Sequence, residues 1–152
     1  MWKQILKTGL LAGTLDIVAA CTQAYVMRGT TPETVLKFIA SGVLGSTAMK
    51  GGAEVALLGL LFHLVIAFSC TIVFFLVYPK LKLLHKNIAL NSLLIAVIAW
   101  AVTTLIVIPL SKINPAPFQL QRAVIAILIL YVCIGLPVAI GAKFFYSKTV
   151  TA

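Results

Sequence analysis

ILKTGLLAGTLDIVAACTQAYVM, residues 5–27, is apolar for long enough to cross a bilayer and carries an aspartate, Asp16, at its centre. Three further runs of the same kind follow, over residues 53–78, 88–110 and 120–146, and each of the four is at least 23 residues long. A helix needs only about 20 apolar residues to span the hydrocarbon core. A carboxylate at that depth costs at least ~2.5 kcal/mol, so it is rare and faces a protein interior or a functional pathway. His63, near the middle of the second run, is the other acid–base group placed at comparable depth.

Composition agrees with this reading. At 62% hydrophobic and 10% charged, with mean hydropathy +1.14, the chain lacks the polar surface of a water-soluble domain. Short connectors leave no room for a second domain, so residues 1–152 read as one unit. The expected fold is an all-α membrane protein: a four-transmembrane-helix antiparallel bundle with a short amphipathic helix, residues 31–49, between helices 1 and 2.

The net charge of +9 invites a nucleic-acid reading, but its distribution argues against one. Counted by alternating sides, Lys3, Lys7, Lys80, Lys82, Lys86, Lys143 and Lys148 fall together, seven against the five of Arg28, Lys37, Lys50, Lys112 and Arg122. Cytoplasmic loops carry the Lys/Arg excess, so both termini are expected in the cytoplasm, with the lysines against anionic lipid headgroups. Trp2, Tyr25, Tyr78, Phe118 and Tyr146 sit near span ends, where amphipathic rings anchor at the headgroup boundary. Lys3 and Lys7 followed by Val18-Ala19-Ala20-Cys21 resemble a secretory signal with a lipoprotein-type cleavage site. Asp16 interrupts that apolar core and the run continues past Cys21, so it reads as a retained span.

No catalytic motif is visible: no HExxH, no glycine-rich phosphate loop, no paired carboxylates. An enzyme is not expected. Cys21, Cys70 and Cys133 lie in three different runs without metal-ligand spacing, so no metal and no cofactor are expected either. What the runs do share is a stripe of small residues. In the first, Gly9, Gly13, Asp16, Ala20 and Gln23 recur at 4-3-4-3 spacing; in the second, Gly52, Ala56, Gly59, His63, Ala67 and Cys70 repeat the pattern. Small residues let membrane helices approach closely, while Leu11, Leu15, Val18, Leu58, Leu61 and Val65 would face lipid. Asp16 and His63 each lie on the small stripe of an antiparallel helix, so they are expected in direct or water-bridged contact. Thr103 and Tyr131, at similar depth, are candidates to extend this polar site.

Between the first two runs, Thr31-Pro32-Glu33 is a helix start: a capping hydroxyl, Pro at the first position and an acid in the first turn. Pro109 is expected to close the third run, Asn114-Pro115-Ala116-Pro117 to form a stiff turn, and Gly135 with Pro137 to kink the fourth.

The stretches Ala12-Gly13-Thr14-Leu15-Asp16-Ile17, Ile39-Ala40-Ser41-Gly42-Val43-Leu44-Gly45, Leu58-Gly59-Leu60-Leu61-Phe62-His63 and Ile108-Pro109-Leu110-Ser111 resemble those of small bacterial multi-pass integral membrane proteins of uncharacterised function. The likeness covers the first three runs better than the fourth. It implies a bacterial inner membrane and supplies no activity. From the residues themselves two functions are expected. One is a small transporter or proton-coupled carrier working at Asp16 and His63, in a homo-oligomer or larger complex because four helices enclose little space. The other is an accessory or scaffold subunit whose polar pair only fixes helix packing.

Overall fold

The first apolar run folds as one uninterrupted helix, α1 (Trp2–Arg28). Gly29 ends it in the left-handed region at φ 65°, where its N–H donates to the Tyr25 carbonyl and the Thr30 N–H to that of Ala24. That paired closure satisfies carbonyls the helix end would otherwise leave bare, and glycine adopts it without strain. The chain then restarts as α2 (Pro32–Leu44), with the Thr31 hydroxyl accepting from the Thr34 N–H at 3.3 Å. Glu33 pairs with Lys37 at 2.6 Å one turn on, an exposed bridge that contributes well under about 1 kcal/mol. At Gly45, φ 75°, the α-helix gives way to a 3-10 segment, Gly45–Lys50. The connector expected as one helix is thus two pieces, and glycine is where it divides.

The remaining runs form α3 (Ala53–Lys80), α4 (Ile88–Leu110) and α5 (Leu120–Ser147). With α1, these helices of 27, 28, 23 and 28 residues have the length and apolarity to cross a membrane, which makes the chain a multi-pass membrane protein. The computed structural model describes residues 1–81, 84, 87–112 and 117–150. Lys82, His85 and Lys86, and Asn114-Pro115-Ala116 of the expected stiff turn, lie outside the described residues. No strand occurs among those described.

Proline shapes both later spans. In α4 a π-helical turn, Thr103–Val107, precedes Pro109; in α5 another, Tyr131–Gly135, precedes Pro137. Each proline lacks the N–H that would bond four residues back, and the wider turn takes up the mismatch. Pro109 does not itself end α4, which continues to Leu110.

Packing follows the small residues. α3 packs on α1, α1 on α5, and α5 on α4, whereas α3 and α4 are not packed closely against each other among the described residues. A Cβ at Gly13 would press on Leu64 and Ala67 of α3 at 3.0 and 3.1 Å, and one at Gly135 would enter the Ser92 backbone of α4. Ala12, Ala96, Ala139, Ala142, Ser92 and Thr71 are fully buried, while Leu11, Leu15, Val18, Leu61 and Val65 point outward; Leu58, expected with them, is half-buried. Bulk outward and small inward is the sorting expected where burial of apolar surface gives no gain.

The two ends of the bundle differ. At the end that gathers the chain termini, Phe75, Tyr78, Ile95, Ile134 and Val138 form a closed core. There the Tyr146 hydroxyl donates to the Phe75 carbonyl at 2.8 Å and its ring stacks on Tyr78, centroids 5.5 Å apart. Tyr78, expected at the headgroup boundary, is 4% exposed instead; Trp2, Tyr25 and Phe118 do remain exposed. Asn91 is buried at the same end and its side-chain amide donates to the Leu84 carbonyl, fixing the turn between α3 and α4.

Candidate functional site

Asp16 lies twelve residues from the Arg28 end of α1 and His63 ten from the Ala53 end of α3. By helix rise both sit roughly 15–18 Å below that end of the bundle, near mid-membrane. The imidazole Nε2 lies 3.0 Å from the Gly13 carbonyl and 3.7 Å from Asp16 Oδ2. A backbone carbonyl only accepts, so Nε2 is the donor in this contact. The 3.7 Å separation is too long for a hydrogen bond, so the carboxylate feels the imidazole electrostatically and keeps its lone pairs free. Gly13 is what lets the ring reach the α1 backbone: a side chain there would occupy the space held by Leu64 and Ala67.

The pair opens onto a cavity of about 610 Å³, within the size range of small-molecule sites, roughly 300–1,000 Å³. All four spans and α2 contribute to its wall. Asp16, Ala20 and Gln23 line it from α1, Phe62, His63 and Cys70 from α3, and Trp100, Thr103 and Thr104 from α4. From α5 come Ala126, Ile129, Leu130 and Ile134. Phe38, Ile39, Gly42 and Val43 make α2 its cover. Two backbone contacts seat that cover. The Gly42 carbonyl accepts from the Lys112 N–H at 3.0 Å, tying α2 to the end of α4. At Gly59 the α3 backbone comes so close to the Leu36 carbonyl that a Cβ would overlap it.

Asp16, His63 and Thr103 therefore share one chamber, whereas Tyr131, half-buried at the start of its π-turn, is not among the lining residues. Of the small stripe, Gly9 and Gly13 meet α3, Ala20 lines the cavity, and Gly59 meets α2. Ala56 is buried, and Gly52 lies at the N-terminal cap of α3, where its N–H donates to Glu54. Gln23, Cys70 and Thr104 are not named as site residues from the sequence, and Trp100, mid-span, reads there as lipid-facing or packed rather than as cavity wall. Gln23 and Cys70 were signalled, since both continue the stripes that carry Asp16 and His63. Trp100 was not: its place in the wall, edge-on to Phe118 at 6.5 Å between centroids, depends on how α4 is turned. No group of three His, Cys, Asp or Glu side chains able to hold a metal ion occurs among the described residues.

No protein-family model, curated protein or solved structure matches this chain. Fold and site together define a class: a multi-pass membrane protein of four spanning helices with an acid–base pair at the floor of an internal cavity.

Proposed function

We propose that the protein is a small proton-coupled carrier that binds its solute in the cavity above Asp16 and His63. One observation supports this above the rest: the carboxylate and imidazole are not sealed in packed helices but face about 610 Å³ of space at mid-membrane depth. A pair kept only for register needs no such space. Ionisable groups facing a cavity inside a membrane are the usual parts of a proton relay. The packed aromatic core at the terminal end and the chamber at the α2 end make the two halves unlike, the asymmetry a carrier at rest requires. The Lys count favours a cytoplasmic closed end, facing anionic headgroups, and an α2 cover on the opposite side; the sequence resemblance favours a bacterial inner membrane.

The scaffold reading has its own observation, the His63 Nε2–Gly13 carbonyl contact that clasps α1 to α3. Purified protein in vesicles holding a pH-sensitive dye separates the two. A carrier produces a solute-triggered change of internal pH for some members of a panel of organic cations, anions and neutral solutes, and Asp16→Asn abolishes it. A scaffold produces none, and Asp16→Asn is silent.

A further inference from the structure

The cavity's chemistry selects among solutes. Among the described residues Asp16 is the only carboxylate in its wall and neither lysine nor arginine lines it, so an anion meets no permanently cationic side chain there. Among the described residues nothing donates a hydrogen bond to the Asp16 carboxylate, and the Nε2 proton of His63 is held by the Gly13 carbonyl. Around this single negative site the wall is apolar, with the rings of Phe38, Phe62 and Trp100. Aromatic faces attract cations, most strongly where water is scarce. Leu110, in the cavity wall at the end of α4, is 83% exposed, so the chamber opens at the surface of the bundle.

Resting on the carrier reading, we infer that the solute is an organic monocation with an apolar body, its charge on Asp16 and its body against Phe38, Phe62 and Trp100. A cation and a proton then compete for one carboxylate. When the carboxyl is protonated, binding breaks its O–H bond, the electron pair stays on Asp16, and the proton leaves to water. His63 faces the same carboxylate at 3.7 Å. The remaining titratable groups near Asp16 are the thiols of Cys70 on α3 and Cys133 on α5, while α2 and α4 contribute none to the wall.

The test uses the full chain carrying Trp2→Phe, which leaves Trp100 in the cavity wall as the sole tryptophan. In non-ionic detergent its emission is followed against tetraphenylphosphonium and tetraphenylborate, ions alike in shape and opposite in charge. The expected result is saturable binding of the phosphonium, weaker at mildly acidic than at mildly alkaline pH, and no saturable binding of the borate. Asp16→Asn should weaken the phosphonium about tenfold or more, the loss expected for a charge-assisted contact. Equal binding of the two ions, or a phosphonium affinity indifferent to pH, overturns the inference even if Asp16→Asn fails to fold. Phosphonium binding without proton-coupled movement in vesicles would end the carrier reading and leave the ligand class standing. Proton-coupled movement of anionic or neutral solutes without phosphonium binding would do the reverse.

Discussion

At the scale of the residue, everything turns on Asp16 keeping a polar partner at a depth where water is scarce. His63 lies 3.7 Å from it and clasps α1 through the Gly13 carbonyl. Replacing the carboxylate by its amide keeps the shape and the polarity, so Asp16→Asn should unfold in detergent within about 1 kcal/mol of the parent. His63→Ala removes the clasp and leaves a gap. It should cost about 1–2 kcal/mol, the upper range for one hydrogen bond inside a membrane together with a small void. Chemical denaturation followed by circular dichroism checks both; a large loss in Asp16→Asn would mark the carboxylate as structural. This pairing was readable in the sequence because two facts sufficed: both side chains sit on small-residue stripes, and antiparallel helices place them at equal depth. Tyr131 shows the limit of that reasoning. Depth alone suggested it, but which way a side chain faces around a helix depends on packing, and the turn that carries Tyr131 is π-helical.

At the scale of the element, the spans were legible and their irregularities were not. Apolar length marked α1, α3, α4 and α5 to within a few residues. Pro109 and Pro137 announced disturbance, but the π-turns that absorb it follow from hydrogen-bond geometry no pattern of residues specifies. The start of α2 was equally plain from Thr31-Pro32-Glu33. Its seat was not, because the small residue that receives it, Gly59, looked like part of a stripe facing α1. Gly59→Val should therefore loosen α2 rather than separate α1 from α3. A loss of about 1–3 kcal/mol is expected, as for overpacking of a tight contact. Protease sensitivity should rise near residues 45–50. Leu57→Ala, at a position 67% exposed, is the control and should change neither. Equal tolerance at both sites would contradict the docking of α2 on α3.

At the scale of the whole molecule, the arrangement of helices creates the cavity, and sequence carries little information about it. Four spans of similar length can surround a dry interior or leave a chamber. Here α3 and α4 are not closely packed among the described residues, although both feed the core at the terminal end, while α2 packs on α3 and is tied to the end of α4 by the Gly42 carbonyl and the Lys112 N–H. In a background with Cys21, Cys70 and Cys133 replaced by serine, Gly42→Cys with Lys112→Cys should cross-link on mild oxidation. The cross-link should slow exchange of any cavity ligand and leave unfolding almost unchanged. Failure of the two positions to join would place α2 elsewhere.

The central claim is that mid-membrane space beside Asp16 is open to small molecules, and Cys70 in the cavity wall is a native reporter of it. With Cys21 and Cys133 replaced by serine, the protein in intact membranes is exposed to a small cationic methanethiosulfonate. Labelling of Cys70 while the bilayer is intact is the predicted result. A thiol that stays unreactive until the bilayer is dissolved would contradict the account.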